Sequence, residues 1–149
     1  MRQAADFSWG YDDSSTERRI YAYRDAVAAA GAINSNARDM GQWLRLLLGG
    51  GSIDGKRIVS EAGFREMLTE LTKVYGEPYG LGLWVFDPKN TNGTQLYGHI
   101  GGVDGFSAQL VFAPARKLGF AIMTNASDSG ESLYHATTNI VFSHLLLQP

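Results

Sequence analysis

The sequence predicts an α+β domain in which two helices precede a mostly antiparallel sheet and one further helix follows it. Three observations support this fold class. Apolar residues recur at helical spacing twice in the first half, short segments of strand character fill the second half, and a third helical stripe comes last. The 149 residues suit one domain, which we expect over 34–149, after an irregular segment over 1–33.

The irregular segment leads into the first predicted helix. Residues 12–15 are two aspartates and two serines, a turn-rich patch, and charged residues follow it. Asn34 and Ser35 offer caps for a helix. Four apolar side chains at i, i+3, i+4 and i+7 then give that helix one stripe, and consecutive glycines end it. The stripe and its end are Met40, Trp43, Leu44, Leu47 and Gly49–Gly51.

The second predicted helix follows a tight turn at Asp54-Gly55. Ser60 is the expected N-cap, and the helix is expected to continue to about Leu71. Its apolar face consists of Phe64, Met67, Leu68 and Leu71.

The strands follow, separated by turn residues. The segment 79–86 alternates glycine with bulky residues, which is typical of a strand that another element approaches closely. The next strands are expected at 94–99 and from Phe106 to Phe112, after a hairpin loop over 88–93. The segment 118–124 is apolar on both faces and predicts a central strand. Serines near 127 cap the last helix, and Trp43 and Trp84 are interpreted as core residues.

Composition excludes several classes of function. The net charge of −2 gives no attraction to nucleic acid or to an anionic membrane. Without cysteine there is no disulfide or thiolate chemistry, and His99, His135 and His144 lack metal-ligand spacing, so we expect no cofactor and no metal. The apolar runs are too short to span a bilayer. The first ten residues lack a signal-peptide pattern, which leaves localisation open.

One segment stands out chemically, from Tyr97 to Phe106. In this segment Gly101 and Gly102 follow His99 after a single intervening residue. Glycines allow a backbone to pass close to a ligand, and a histidine beside them places a titratable group there. Asp104 in the same run is interpreted as a turn former rather than a substrate contact.

From Ala30 onward the chain resembles the C-terminal half of the serine β-lactamase-like hydrolases. This superfamily includes class C β-lactamases, family VIII carboxylesterases, D-aminopeptidases and penicillin-binding proteins. Each segment is weak evidence alone, whereas their order and spacing together are specific. The matching segments are Gly31–Met40, Tyr79–Trp84, Gly98–Phe106 and Leu118–Asn125.

The resemblance implies a fold and a set of site residues. The fold is the C-terminal part of the β-lactamase/transpeptidase-like fold. The family's His-x-Gly motif maps onto His99-Ile100-Gly101, on the strand that lines the active site. The N–H of Gly102 maps onto half of the oxyanion hole. Gly101, Tyr97 and Asn125 are candidate substrate-binding residues. Tyr97 is equally compatible with strand packing, and Asn125 with capping the following turn.

The chain departs from the family pattern at the nucleophile. No serine is followed three residues later by lysine, and no Tyr-x-Asn or Ser-x-Asn occurs. In the family both motifs lie upstream of the matched region. We therefore expect a hydrolase polypeptide for acyl transfer on an ester, amide or β-lactam that is incomplete or inactive alone, with the catalytic half on another chain, lost or replaced.

Two alternatives stay open at this stage. One is a non-catalytic binding or assembly module derived from the same fold. The other is a compact esterase that uses a local serine, such as Ser107 or one near Ser127, although Ser107 has the pattern of an ordinary strand residue. The chain is expected to form a homo-oligomer or to bind a complementary N-terminal chain, because an unpaired apolar strand over 118–124 needs a cover. The main alternative is that residues 1–30 fold back and supply this cover.

Overall fold

The computed structural model describes residues 7–12, 18–19, 28–103 and 105–141. It confirms the predicted α+β class with an antiparallel sheet. The helices are α1 (Ala28–Gly31), α2 (Ala37–Leu48), α3 (Glu61–Met67) and α4 (Asp128–Val141). The strands are β1 (Gly10–Tyr11), β2 (Arg18–Arg19), β3 (Ser52–Ile53), β4 (Lys56–Arg57), β5 (Thr72–Val74), β6 (Glu77–Tyr79), β7 (Trp84–Phe86), β8 (Leu96–Val103), β9 (Phe106–Ala113) and β10 (Leu118–Thr124).

Helix α2 forms as the apolar spacing predicts, but its cap differs. The side chain of Asn36 accepts a hydrogen bond from the Asp39 N–H at 3.0 Å, so the cap lies one residue after Asn34-Ser35. Gly49 closes the helix as expected. Leu47 is buried, whereas Trp43 is 43% exposed, so the assignment of Trp43 to the core is wrong. Trp43 lies at the margin of the apolar stripe, next to the face of the helix that is in contact with solvent.

Helix α3 begins at the predicted cap and ends early. The Ser60 hydroxyl accepts a hydrogen bond from the Gly63 N–H at 3.1 Å. The expected end at Leu71 is wrong, because α3 stops at Met67. Leu71 is half-exposed, and its N–H donates to the Tyr79 carbonyl at 3.0 Å. Backbone pairing with the sheet therefore replaces the last predicted helical turn.

The segment 79–86, expected as one strand, is two strands. β6 and β7 flank a loop over 80–83 in which the Gly80 N–H donates to the Leu83 carbonyl at 2.8 Å. Gly82 has a φ of +76°, a left-handed conformation that ends regular pairing. Trp84 is half-buried. β5, which no sequence pattern indicated, pairs with β6 across a turn at Tyr75-Gly76.

The main sheet has six strands in the order β10-β9-β8-β7-β6-β5, each antiparallel to its neighbour. β8 continues to Val103, beyond the expected end at His99, because Ile100 to Val103 pair with β9. In the described residues β10 pairs only with β9, so its assignment as a central strand is wrong. It lies at the sheet edge, and none of its residues is fully buried.

Helices cover both faces of the β8–β10 region. α2 packs on β9 and β10 over one apolar cluster, and α4 packs on the same strands over another. Alternate residues of β9 divide between them. The first cluster contains Leu47, Phe64, Leu83, Leu110 and Phe112, and the second contains Leu96, Val111 and Ala113. Within the part of the chain that the structure describes, no helix has both the length and the apolarity to cross a membrane.

Candidate functional site

The candidate site is the part of β8 that extends beyond β7. Pairing between β7 and β8 runs from Phe86 opposite Leu96 to Trp84 opposite Gly98. Pairing between β8 and β9 continues as far as Val103. From His99 onward, β8 therefore has a strand on one side and no β7 residue on the other. The predicted His-x-Gly motif lies on this edge.

His99 is exposed, and its imidazole has a defined backbone partner. Nδ1 lies within hydrogen-bonding distance of the Ile100 carbonyl. A carbonyl oxygen only accepts, so Nδ1 carries the proton and donates it. This contact leaves Nε2 as the ring nitrogen available to a bound molecule.

Two aromatic rings contact the imidazole. The Trp84 ring lies 6.2 Å from that of His99, with an angle of 23° between the planes. The Tyr79 ring lies 5.7 Å from His99 and 4.8 Å from Trp84, edge-on in both cases. Burial raises the pKa of the Tyr79 hydroxyl. Sequence reasoning gave neither ring a place in the site.

Tyr97 and Gly101 share the face of β8 that His99 occupies, by strand alternation. Tyr97 is half-buried and packs against Phe112 with ring centroids 5.6 Å apart. Burial also raises the pKa of its hydroxyl. A methyl group added at Gly101 would meet nothing within 4 Å. The face is thus packed at Tyr97 and open at Gly101.

Asn125 lies at the end of β10, on the far side of β9 from β8. Its side-chain amide donates to the Trp9 carbonyl at 3.1 Å. This contact joins it to the N-terminal part of the chain. The structure brings His99, Gly101 and Gly102 together on one edge, and Asn125 lies beyond β9, directly after the end of β10.

A short N-terminal segment supports the β8–β9 hairpin. The Tyr11 N–H is shared between the carbonyls of Asn125 and Gly105, at 3.0 and 3.2 Å. A methyl group on Gly105, where φ is +79°, would lie 2.7 Å from the Gly10 Cα. We name Trp9 to Tyr11 the hairpin clamp. Its only signal in the sequence is a glycine between two aromatic residues, too little to predict the contact.

The serines considered for a local nucleophile are engaged in backbone contacts. Ser107 is 3% exposed, and its hydroxyl contacts the carbonyls of Ala126 and Ser127 at 2.9 and 2.7 Å. The Ser127 hydroxyl accepts from the Gly105 N–H at 2.9 Å. This favours the interpretation of Ser107 as a structural strand residue. Asp104 and His144 lie outside the described residues.

A cavity of about 330 Å³ lies at the other end of β8. It is separate from the His-x-Gly edge, and none of the predicted site residues lines it. Its walls are Glu77, Phe86, Asp87, Asn90, Thr91, Leu96 and Asn139.

Comparisons with known proteins show the family to which this fold belongs. The Beta-lactamase family model matches residues 2–144, and the chain belongs to this family. It is therefore related to the hydrolases of the β-lactamase/transpeptidase superfamily.

Among curated proteins, the chain is similar to the unguisins hydrolase ungD' of Aspergillus campestris (strain IBT 28561), with 30% identity over 128 residues. The match spans 80% of this chain and 22% of that protein.

Two solved structures share the fold. The octameric penicillin-binding protein homologue from Pyrococcus abyssi has a TM-score of 0.55 and 27% identity, over 71% of this chain and 24% of that one. The D-stereospecific amidohydrolase from Streptomyces sp. has a TM-score of 0.56 and 25% identity, over 87% of this chain and 39% of that one. The chain thus spans well under half the length of each of these proteins.

Proposed function

We propose that this chain forms the oxyanion-hole side of an acyl-transfer site in a serine hydrolase. The single observation that carries the proposal is the edge of β8 that lies beyond the last β7 pair, at Trp84 and Gly98. On that edge His99 and two glycines follow one another. A backbone edge without a strand partner offers N–H and C=O groups to a bound acyl compound.

The register supports the assignment of Gly102. Val103 and Phe106 flank a connection of two residues, and such a turn closes with a hydrogen-bonded pair. Hydrogen-bonded and non-hydrogen-bonded pairs alternate along an antiparallel ladder. Gly102 opposite Ser107 therefore falls in a non-hydrogen-bonded pair. Its N–H is directed away from β9, toward the edge, where it would donate to a developing oxyanion.

His99 would act beside this donor. With Nδ1 bonded to the Ile100 carbonyl, Nε2 is the atom that meets substrate. Through Nε2 the imidazole would orient the substrate and help to stabilise negative charge that develops on it. Neither role supplies a nucleophile.

The nucleophile is proposed to come from polypeptide outside these 149 residues. No serine here is followed by lysine at the required spacing, and the hydroxyls of Ser107 and Ser127 are engaged in backbone contacts. A serine with its activating base would approach the face of β8 that carries His99 and Gly101. Acyl transfer through an acyl-serine would then use the Gly102 N–H as one of two oxyanion donors.

Amides are the favoured substrate class within this proposal. The relatives named above include an unguisins hydrolase and a D-stereospecific amidohydrolase. Esters and β-lactams react by the same acyl transfer and are the alternative substrate classes to compare in an assay.

A chimera tests this function. The chain would replace the matching segment of the Streptomyces D-stereospecific amidohydrolase, which aligns with 87% of it. We expect the chimera to hydrolyse a D-amino acid amide, and His99→Ala to lower kcat by on the order of 100-fold, the scale of losing one oxyanion-stabilising group. His135→Ala is the matched control, because His135 is exposed on α4. Equal kcat in the two variants, with equal thermal unfolding midpoints, would rule out the assigned role.

A second candidate function is assembly through β10. This strand lies at the sheet edge, and its side chains, among them Phe120 and Met123, are only partly covered. Proteins normally cover or pair such an edge. The solved homologue from Pyrococcus abyssi is octameric. We propose that the β10 edge pairs with a second copy of this chain or with a complementary N-terminal chain.

Sedimentation equilibrium tests the assembly proposal. We expect an oligomer whose fraction rises with protein concentration, and a shift toward monomer in the variant Ala121→Lys, which puts a charge in the middle of β10. Lys117→Ala, in the turn before β10, is the control and should leave the oligomer unchanged. A folded monomer at every concentration, without binding of an apolar dye, would contradict the proposal.

A further inference from the structure

Three aromatic rings lie together beside the histidine-glycine edge, next to the last pair between β7 and β8, Trp84 and Gly98. Trp84 and His99 lie nearly parallel, and Tyr79 contacts both edge-on, with all ring centroids within 6.2 Å of one another. Tyr79 and Trp84 are half-buried, whereas His99 is exposed. We name Tyr79, Trp84 and His99 the aromatic wall. Neither the register of the sheet nor the acyl-transfer chemistry requires two aromatic side chains beside the imidazole.

We infer that the aromatic wall is a subsite that selects substrates with an aromatic or large apolar side chain next to the reacting carbonyl. The inference rests on the proposed function and specifies the substrate class. Aromatic side chains pack favourably on other rings in offset and edge-to-face arrangements, and they gain from leaving water. The wall already displays both arrangements among its own members.

The position of the wall relative to β8 supports this assignment. The chain leaves the sheet at the loop over 80–83, immediately before Trp84. A substrate backbone that binds along β8 beyond Gly98 would therefore begin where β7 stops. Residues directly opposite one another on neighbouring strands have adjacent side chains. A substrate residue opposite His99 would thus place its side chain beside the imidazole, which the rings of Tyr79 and Trp84 contact.

The surroundings provide space and an apolar rim. A methyl group at Gly101 would have no neighbour within 4 Å, so a bulky substrate side chain has room beside it. Leu81, in the loop before Trp84, and Ile100, next to His99 in the chain, are 53% and 44% exposed. These exposed apolar side chains would lose contact with water on binding an apolar group.

The chemistry of the wall disfavours acidic side chains on the rings of Tyr79 and Trp84. Ring faces carry partial negative charge, so a carboxylate packed on them would lose hydration and be repelled. An uncharged apolar side chain avoids this penalty.

Nuclear magnetic resonance titrations of the 149-residue chain test the subsite. The probes are the N-acetyl methylamides of phenylalanine and alanine, each as both enantiomers. We expect both compounds to shift the amide resonances of Gly101 and Gly102, with at least fivefold tighter binding of the phenylalanine compound. That compound should also shift the indole N–H of Trp84. Trp84→Leu should reduce the preference to below twofold, and Trp43→Leu, an exposed tryptophan of α2, should leave it intact.

A second measurement covers the case in which Trp84→Leu does not fold. Nuclear Overhauser contacts between the phenyl protons of the probe and the Trp84 indole protons are expected in the unmodified chain. Their absence at saturation overturns the subsite. Equal binding of the two probes at Gly101 and Gly102 also overturns it, while leaving the proposed function standing. The absence of any shift along β8 overturns it as well, and the chimera assay separately decides the proposed function.

Discussion

The isolated chain is expected to hydrolyse neither a chromogenic cephalosporin nor a p-nitrophenyl ester above the uncatalysed rate. Its 149 residues contain no serine with lysine three residues later. A nucleophile and its activating base act as a unit, so their joint absence removes on the order of a million-fold in kcat. The remaining groups, His99 and the Gly102 N–H, stabilise charge but start no reaction. Spectrophotometric assays on purified protein measure this directly.

A fluorophosphonate probe gives the matching control experiment. No serine of the isolated chain is expected to become labelled. Turnover that persists through purification and disappears in Ser107→Ala or Ser127→Ala would refute the prediction. It would support the hypothesis that the chain is a compact esterase with a local serine nucleophile. Such a result would require a rearrangement, because both hydroxyls now contact backbone groups.

Truncation of Phe112 to alanine is expected to cost roughly 3–5 kcal/mol of the free energy of unfolding. Phe112 is fully buried in β9 and packs in the cluster beneath α2, against Tyr97. Its removal leaves a cavity between sheet and helix that the surrounding backbone cannot fill. Urea denaturation followed by circular dichroism measures the loss.

The control for this prediction is Ile33→Ala. Ile33 is 90% exposed in the stretch before α2, so the change should stay within about 0.5 kcal/mol. If Phe112→Ala does not fold, the milder Phe112→Leu should show a smaller loss in the same direction. A loss for Phe112→Ala no larger than that of Ile33→Ala would mean that β9 does not pack as described.

Local signals in the sequence were sufficient for much of the fold. The Ser60 cap of α3, the glycine end of α2 and the turn at Asp54-Gly55 each depend on residues close in sequence. Such features follow from caps and turns, whose partners are only a few residues away. The His-x-Gly motif lies on one strand, but its place at an open edge depends on where β7 stops pairing with β8.

Features set by distant contacts could not be predicted in this way. The apolar character of 118–124 indicated a central strand, but the position of β10 in the sheet depends on which strand pairs with it. The division of 79–86 into two strands depends on how the loop at Gly82 leaves the sheet. Tyr79 and Trp84 join the candidate site through ring contacts across strands, which no local pattern encodes.

The hairpin clamp has a consequence for shortened versions of this chain. Trp9 and Asn125 are 116 positions apart, yet one hydrogen bond joins them. The backbone of Tyr11 also contacts Asn125 and Ser127, so the clamp depends on residues that follow the last strand of the sheet. A chain that stops before Asn125 would carry the histidine and both glycines, and Tyr11 would keep its contact with Gly105, but the contacts of the clamp with Asn125 and Ser127 would be missing.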